Sequence, residues 1–188
     1  RRSHGLTQLQ VGTGMAGKKQ KTPAKVVKDD RLFTLDVYII DGPISRSFGK
    51  KNESICRTIQ IRGDQTLEDL HDAIFDAFDR DDPHMYEFQI GGKGPMDPNA
   101  RKYVLPMELE SPFGDSNPAG TVAEPIGALG LKKGDAFFYL FDFGDAWWHQ
   151  INVGEIADKA PRGKYPKVTK RIGDSPPQYP DFDEEEDE

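Results

Sequence analysis

Four polar side chains, one carboxylate and three imidazoles, are of the kind that acid–base or metal chemistry requires. Asp142 and His149 lie in one aromatic-rich stretch, residues 135–153, and His71 and His84 precede it. A carboxylate and an imidazole can exchange a proton or act together as ligands of zinc or manganese. No His-Glu-x-x-His or other recognised metal spacing connects the four, so a metal site requires them to converge in space. Three residues of the same stretch complete the binding candidates: Tyr139, Asp145 and Trp147.

The stretch from 135 to 153 predicts a β-hairpin around which the rest of the chain is organised. Nine of its nineteen residues are aromatic or β-branched, the types that pack well on a pleated surface. Gly144-Asp145 near its middle suits a two-residue type II′ turn, because glycine accepts the backbone conformation of the first turn position.

The predicted register decides which side chains of the hairpin share a face. Asp142 faces Trp147 and Leu140 faces His149 on this register, so Asp142 and His149 are diagonal neighbours within reach of each other. The first face then carries Phe138, Leu140, Asp142, Trp147, His149, Ile151 and Val153, and the second carries Phe137, Tyr139, Phe141, Phe143 and Trp148. Both faces are too apolar for open solvent, so we expect each to be covered at least in part. The acid and imidazole are then either a structural pair at the rim of the sheet or a site, and both alternatives stay open.

Two strands and a helix are predicted before the hairpin. Residues 31–40 predict a strand that becomes fully buried toward its end, and residues 54–62 alternate as a half-buried strand in which Arg57 falls on the inner face. Thr66, with Asp69 three residues later, predicts the start of a helix. His71 lies at the border of the apolar stripe that this helix is predicted to bury.

Shorter elements complete the predicted fold. Residues 85–90 predict a short strand, residues 101–109 an edge strand, and residues 154–160 an extension of the hairpin. The proline-rich chain after residue 160 shows neither the two-residue period of a strand nor the 3.6-residue period of a helix. It is predicted to lie extended over the rest of the domain. We therefore expect a single α+β domain with a mixed or antiparallel sheet and one main helix. The order of the elements is similar to the β-grasp arrangement, an analogy at the level of fold alone.

Charge divides the chain into three parts. Residues 1–29 predict a flexible basic arm, residues 30–180 the domain, and residues 181–188 an acidic tail. Of 25 basic and 32 acidic residues, seven basic lie in 1–28 and seven acidic in 181–188, so 18 and 25 remain between them. An acidic body disfavours phosphate-backbone binding, so we expect nucleic acid to bind, if at all, through the basic arm.

No apolar run approaches the length of a membrane span, and the lone Cys56 cannot form a disulfide within the chain; both favour a cytoplasmic protein without membrane contact.

Several motifs together resemble one protein family. They are Arg57-Thr-Ile-Gln-Ile, Thr66-Leu-Glu-Asp-Leu-His71, His84-Met-Tyr-Glu-Phe88, Tyr139-Leu-Phe-Asp-Phe-Gly-Asp-Ala-Trp-Trp-His149, and Tyr165-Pro-Lys followed by Pro176-Pro177. The combination resembles the open-reading-frame-three-like family first named from an Ri plasmid, whose members also occur as passengers in insertion elements. The chain departs from the family pattern at Val168, where a cysteine is usual, and at Gln178-Tyr179, where an acidic pair is usual. The resemblance implies a fold, domain limits and an association with plasmids and mobile elements, and it implies no particular reaction.

Two functions are compatible with these patterns. The first is a small binding or adaptor domain without a cofactor, in which Trp148 or Tyr139 contacts a protein partner. The alternative is a metal-dependent hydrolase or nuclease whose divalent metal is held by His71, His84, Asp142 and His149 beside the hairpin. The positions of those four side chains distinguish the two.

Overall fold

A computed structural model describes residues 28–110 and 117–181 of the chain. The predicted basic arm and acidic tail therefore lie almost wholly outside the described residues. Eight strands are present in the described part: β1 Leu32–Asp41, β2 Cys56–Arg62, β3 Tyr86–Ile90, β4 Arg101–Val104, β5 Gly120–Thr121, β6 Ala136–Phe141, β7 Trp147–Ala157 and β8 Lys167–Ile172. The helices are α1 Arg46–Lys51, α2 Leu67–Ala77 and two 3₁₀ helices, Pro106–Glu110 and Ile126–Ala128.

The eight strands form one sheet in the order β5-β4-β3-β6-β7-β1-β2-β8. Every neighbouring pair is antiparallel except β4 and β5, which are parallel. The prediction of a single α+β domain with a mixed sheet and one main helix is confirmed, and the β-grasp likeness remains an analogy. In the described ranges, no helix is both long and apolar enough to cross a membrane.

Helix α2 begins where the sequence predicts. Thr66 accepts a hydrogen bond from the Asp69 amide, and the Asp69 carboxylate accepts one from the Thr66 amide in return. This reciprocal capping box satisfies two amide groups that the first helical turn leaves without partners. Five side chains of the helix are buried: Leu67, Leu70, His71, Ile74 and Ala77. They cover one face of the sheet, and the predicted position of His71 beside the apolar stripe is confirmed.

The central hairpin exists, but its predicted register is wrong by one residue. Tyr139 pairs with His149 and Phe141 with Trp147, so the turn spans 142–146 and not two residues. Asp142 and Ala146 at its ends both adopt positive φ, 57° and 53°. Left-handed backbone is uncommon in residues other than glycine, and the sequence therefore favoured Gly144 as the point of reversal.

The shift in register redistributes the side chains between the two faces. The inner face now carries Phe137, Tyr139, Phe141, Trp147, His149, Ile151 and Val153, each at most 2% exposed. Phe138 and Trp148 on the other face are 5% and 8% exposed, so the expected partial cover of both faces is confirmed. Asp142 lies in the turn and on neither strand face, so the predicted diagonal pairing with His149 on one face is wrong.

Helix α1 and strands β5 and β8 were not predicted. Helix α1 lies between the two strands predicted first, and β8 forms within the segment after residue 160 that was expected to lie extended. Strand β8 pairs with β2 at the edge of the sheet, where most of its side chains are exposed. The predicted edge strand over 101–109 is shorter, because it ends at Val104 and is followed by a 3₁₀ helix. It is also not at the edge of the sheet, because β5 pairs with it.

Candidate functional site

The end of α2 places Arg80 against the inner face of the sheet. Asp79 adopts a left-handed conformation (φ 55°) after the last helical turn. The Asp79 and Arg80 amides donate to the Asp76 and Phe75 carbonyls, which is a Schellman ending. The reversal directs the Arg80 side chain onto the sheet, where its guanidinium carbon lies 3.8 Å from the centroid of the Trp147 ring.

Arg80 and Trp147 are almost completely buried. Arg80 is 7% exposed and Trp147 is fully buried. Burial lowers the pKa of Arg80 to about 10, so the guanidinium stays charged at neutral pH. The stack is a cation–π contact, and such contacts are stronger when they are desolvated.

His71 and Tyr139 form a buried polar pair next to this stack. His71 Nδ1 lies 2.7 Å from the Tyr139 hydroxyl, and the His71 ring stacks on Tyr86 with centroids 3.6 Å apart. Burial lowers the pKa of His71 to about 4 and raises the pKa of Tyr139 well above its ordinary value. Both groups are therefore neutral at neutral pH.

His149 completes the inner polar group. Its ring lies between those of Tyr139 and Phe78, with centroids 5.1 Å and 5.4 Å away, and its Nδ1 is 3.2 Å from the Trp147 carbonyl. Burial, followed by the charge of Arg80, lowers the pKa of His149 to about 3. A neutral imidazole beside a permanent cation is poorly suited to take up a proton near neutral pH.

A narrow crevice runs between α2 and the sheet at this point. Arg80, Tyr139 and His149 provide its polar lining, and Ile74, Phe75, Phe78 and Phe141 provide the apolar lining. The crevice is too narrow to hold a water molecule.

The C-terminal segment of residues 174–181, which we name the clamp, binds the turn that follows α2. The Gln178 side chain accepts hydrogen bonds from the Asp81 and Asp82 amides and donates one to the Asp82 carbonyl. The Pro176 carbonyl accepts a long hydrogen bond of 3.4 Å from Arg80 Nη1. The clamp thus contacts both the backbone of the turn and the side chain of Arg80.

A second polar group lies at the tip of the central hairpin and includes Tyr179 of the clamp. His84 Nε2 lies 2.7 Å from the Tyr179 hydroxyl and 3.5 Å from a carboxylate oxygen of Asp142. The Tyr179 hydroxyl donates to Asp82 at 2.7 Å. We name this region the tip surface, and it consists of Asp82, His84, Asp142, Phe143, Asp145 and Tyr179.

Negative charge dominates the tip surface. The hydrogen bond to Asp82 raises the pKa of Tyr179 to about 12, and the charges of Asp142 and Asp145 act in the same direction. Asp142 also shapes the turn, because its Oδ1 accepts hydrogen bonds from the Gly144 and Asp145 amides.

The structure divides the seven predicted candidates between the two groups. His71, Tyr139, Trp147 and His149 belong to the buried group, and His84, Asp142 and Asp145 belong to the tip surface. The expected convergence of His71, His84, Asp142 and His149 does not occur, and residues 28–110 and 117–181 contain no cluster of three or more His, Cys, Asp or Glu that could hold a metal ion. Tyr139 and Trp148, which were expected to contact a partner, are 1% and 8% exposed and are not available at the surface.

Sequence reasoning missed three residues of these groups. Arg80 stands in an Asp-Arg-Asp-Asp-Pro-His run that indicates only a turn, and nothing in the run shows that its side chain is buried. Gln178 and Tyr179 carried a usable signal, because they replace the acidic pair that is usual in the family pattern.

Comparisons with known proteins bear on the fold and on the family of the chain. No curated protein matches the chain. The crystal structure of a protein of unknown function, MM3350 from Methanosarcina mazei Go1, is similar with a TM-score of 0.58 and 22% sequence identity, over 77% of this chain and 71% of that chain. At this identity the likeness supports the fold alone. The profile of the plasmid pRiA4b ORF-3-like proteins matches residues 47–180, and the chain belongs to that family.

Proposed function

We propose that this protein is a binding domain that recognises a positively charged segment of a protein partner through the tip surface. The observation that carries the proposal is the exposure of two aromatic side chains among carboxylates: Phe143 is 45% exposed and Tyr179 is 54% exposed. Aromatic residues are enriched at protein interfaces, and their faces attract Lys and Arg side chains.

Charge supports a basic partner. Asp82, Asp142 and Asp145 all lie near the Tyr179 hydroxyl, and the chain as a whole carries a net charge of −7. Complementary charge speeds association with a basic segment and disfavours acidic ones. Such recognition is sensitive to salt, because Asp82 is exposed and Asp145 is partly exposed to solvent.

The positions of the imidazoles favour binding over hydrolysis. His71 and His149 are buried with lowered pKa values, whereas His84 and Asp142 contact each other at the hairpin tip. The four side chains named for a metal are therefore divided between two places, so no arrangement of the described residues specifically supports the hydrolase alternative.

The test uses a fluorescein-labelled synthetic peptide in which Lys or Arg alternates with Leu or Phe, together with a counterpart in which Glu replaces each basic residue. We expect the basic peptide to bind the full chain in fluorescence anisotropy, with weaker binding as salt increases. Phe143→Ala and Asp145→Asn should each weaken binding about threefold to tenfold, the usual range for a contributing interface contact.

Met107→Ala provides the matched control, because Met107 is 68% exposed and lies in the 3₁₀ helix that follows β4. This variant should bind the basic peptide like the parent. Equal binding of the basic and acidic peptides, or undiminished binding by both tip variants, would refute recognition at the tip surface.

A further inference from the structure

Arg80 has more hydrogen-bond donors than the described residues satisfy. Its Nε and Nη2 are buried and have no hydrogen-bond partner there, and the same is true of the indole Nε1 of Trp147 on which it stacks. Nη1 has the long bond to the Pro176 carbonyl. Buried donors without acceptors are costly, and each therefore calls for an explanation.

Arg57 shows how the same fold satisfies a buried arginine. It is 2% exposed, its Nε donates to the Ala77 carbonyl, and its Nη2 donates to the Ser175 hydroxyl. Its Nη1 reaches three further carbonyls, those of Cys56, Ile172 and Gly173. Arg57 thus joins α2, β2 and the end of β8, and its role is structural. Arg80 lacks such a set of acceptors.

The surroundings of Arg80 also lack a counter-ion. No carboxylate in the described ranges forms an ion pair with Arg80, and Trp147, Tyr139 and His149 around it are neutral. A buried cation surrounded by donors suits a ligand that is anionic and only accepts hydrogen bonds. Carboxylate and phosphate groups have both properties, and they match the two-pronged geometry of a guanidinium.

The clamp lies against Arg80 through the Pro176 carbonyl. The crevice that Arg80 lines is too narrow for a ligand as it stands. The clamp is held to the turn beside Arg80 by the Gln178 hydrogen bonds to Asp81 and Asp82 and by the Tyr179 hydrogen bond to Asp82. The Ser175 hydroxyl attaches it to Arg57 and Asp79, and the chain then runs on into the acidic tail. Strand pairing ends at Ile172, before the clamp begins, so separation of the clamp from Arg80 breaks no pairing between strands.

We propose that Arg80, stacked on Trp147 and covered by the clamp, is a binding site for an oxyanion, either a carboxylate or a phosphate group, which enters when the clamp opens. The anion is either a free ligand or a carboxylate of the tail that follows the clamp. Both sources present an oxyanion that accepts hydrogen bonds from the guanidinium of Arg80.

The test follows the fluorescence of Trp147 in full-length protein. The chain contains two tryptophans, so Trp148→Phe leaves Trp147 as the single reporter beneath Arg80. Sodium phosphate is added at constant ionic strength maintained with sodium chloride. We expect a saturable change in fluorescence with phosphate and none with chloride alone.

Arg80→Lys in the Trp148→Phe background keeps the charge but loses the planar fork, and it should weaken phosphate binding about tenfold or more. Arg57→Lys is the matched control and should leave the affinity for phosphate unchanged. Circular dichroism checks that each variant folds. If Arg80→Lys does not fold, Gln178→Ala serves instead, because loosening the clamp should increase the rate of the fluorescence change.

A tail variant distinguishes the two sources. Asn or Gln replaces the acidic residues Asp183, Glu184, Glu185, Glu186, Asp187 and Glu188 in the full chain. Tighter phosphate binding by this variant than by its parent assigns the site to the tail's own carboxylates, and equal affinity assigns it to a free anion. A response that does not saturate in either protein, or one that Arg80→Lys leaves unchanged, would overturn the proposal.

Discussion

His71 and His149 show how burial fixes the charge of individual residues in this fold. Each imidazole lies among aromatic rings, and burial is the largest cause of its lowered pKa. The folded state therefore holds both rings neutral, whereas the unfolded chain protonates them near pH 6.5. Stability linked to these groups is complete above pH 6.5 and is lost as the pH falls toward their folded pKa values of about 4 and about 3.

His71→Gln should reduce this acid sensitivity, because a glutamine cannot take up a proton in the unfolded state. Between pH 7.5 and pH 5 the parent should lose about 2 kcal/mol through His71 alone, and the variant should keep that amount. Urea unfolding at the two pH values measures the difference. An identical loss in parent and variant would show that the His71 imidazole does not titrate as its burial implies.

At the scale of the elements, Gln178 provides most of the hydrogen bonds between the clamp and the backbone of the turn after α2. Gln178 makes three hydrogen bonds to the turn after α2, and it is only 6% exposed. Because strand pairing ends at Ile172, before the clamp begins, the clamp can open without unfolding of the sheet.

Gln178→Ala should therefore loosen the turn and the clamp together. The amides of Asp81 and Asp82 lose their acceptor, and their hydrogen exchange should accelerate roughly tenfold to a hundredfold, since each bond contributes about 1 kcal/mol. Gln60→Ala is a suitable control, because Gln60 makes a single long hydrogen bond of 3.4 Å to Thr34. Unchanged exchange at Asp81 and Asp82 would mean that Gln178 does not hold the clamp in place.

The sequence predicted those elements whose signals are local. Helix α2 follows from its capping box and apolar stripe, and β2 follows from alternation that also places Arg57 inside. The hairpin register depends on Asp142 and Ala146 in left-handed conformations, which no composition rule anticipates. Strand β8 was missed because an exposed edge strand has no buried face, and its sequence therefore lacks the alternation of apolar and polar residues that predicts a strand. The buried position of Arg80 depends on the left-handed backbone of Asp79 just after α2, a position where glycine would have been the usual signal.

At the scale of the whole molecule, opposite charges are separated along the chain. Seven basic residues occur in residues 1–28 and seven acidic ones in residues 181–188, while the part between them is also acidic. The cation-rich arm is consequently the part best suited to phosphate backbones.

Replacement of the seven basic residues of 1–28 by Gln should abolish salt-sensitive retention on immobilised double-stranded DNA, if the arm is what binds. We expect the parent to elute at higher salt than this variant, because each neutralised phosphate releases counter-ions. A variant with Gln at Lys132 and Lys133, two exposed lysines of the domain, should elute like the parent. Equal elution of parent and arm variant would exclude nucleic-acid binding by the arm.

The pairing of β1 with β7 affects how the protein folds as it is synthesised. Strand β1 lies between β2, which follows it closely along the chain, and β7, which begins only at Trp147. A nascent chain on the ribosome therefore carries β1 with one edge unpaired until most of the domain has been translated. Contacts so distant in sequence form slowly, and an open apolar edge attracts other chains in the meantime. Chaperone capture during translation should consequently matter more for this protein than for a domain whose neighbouring strands follow one another.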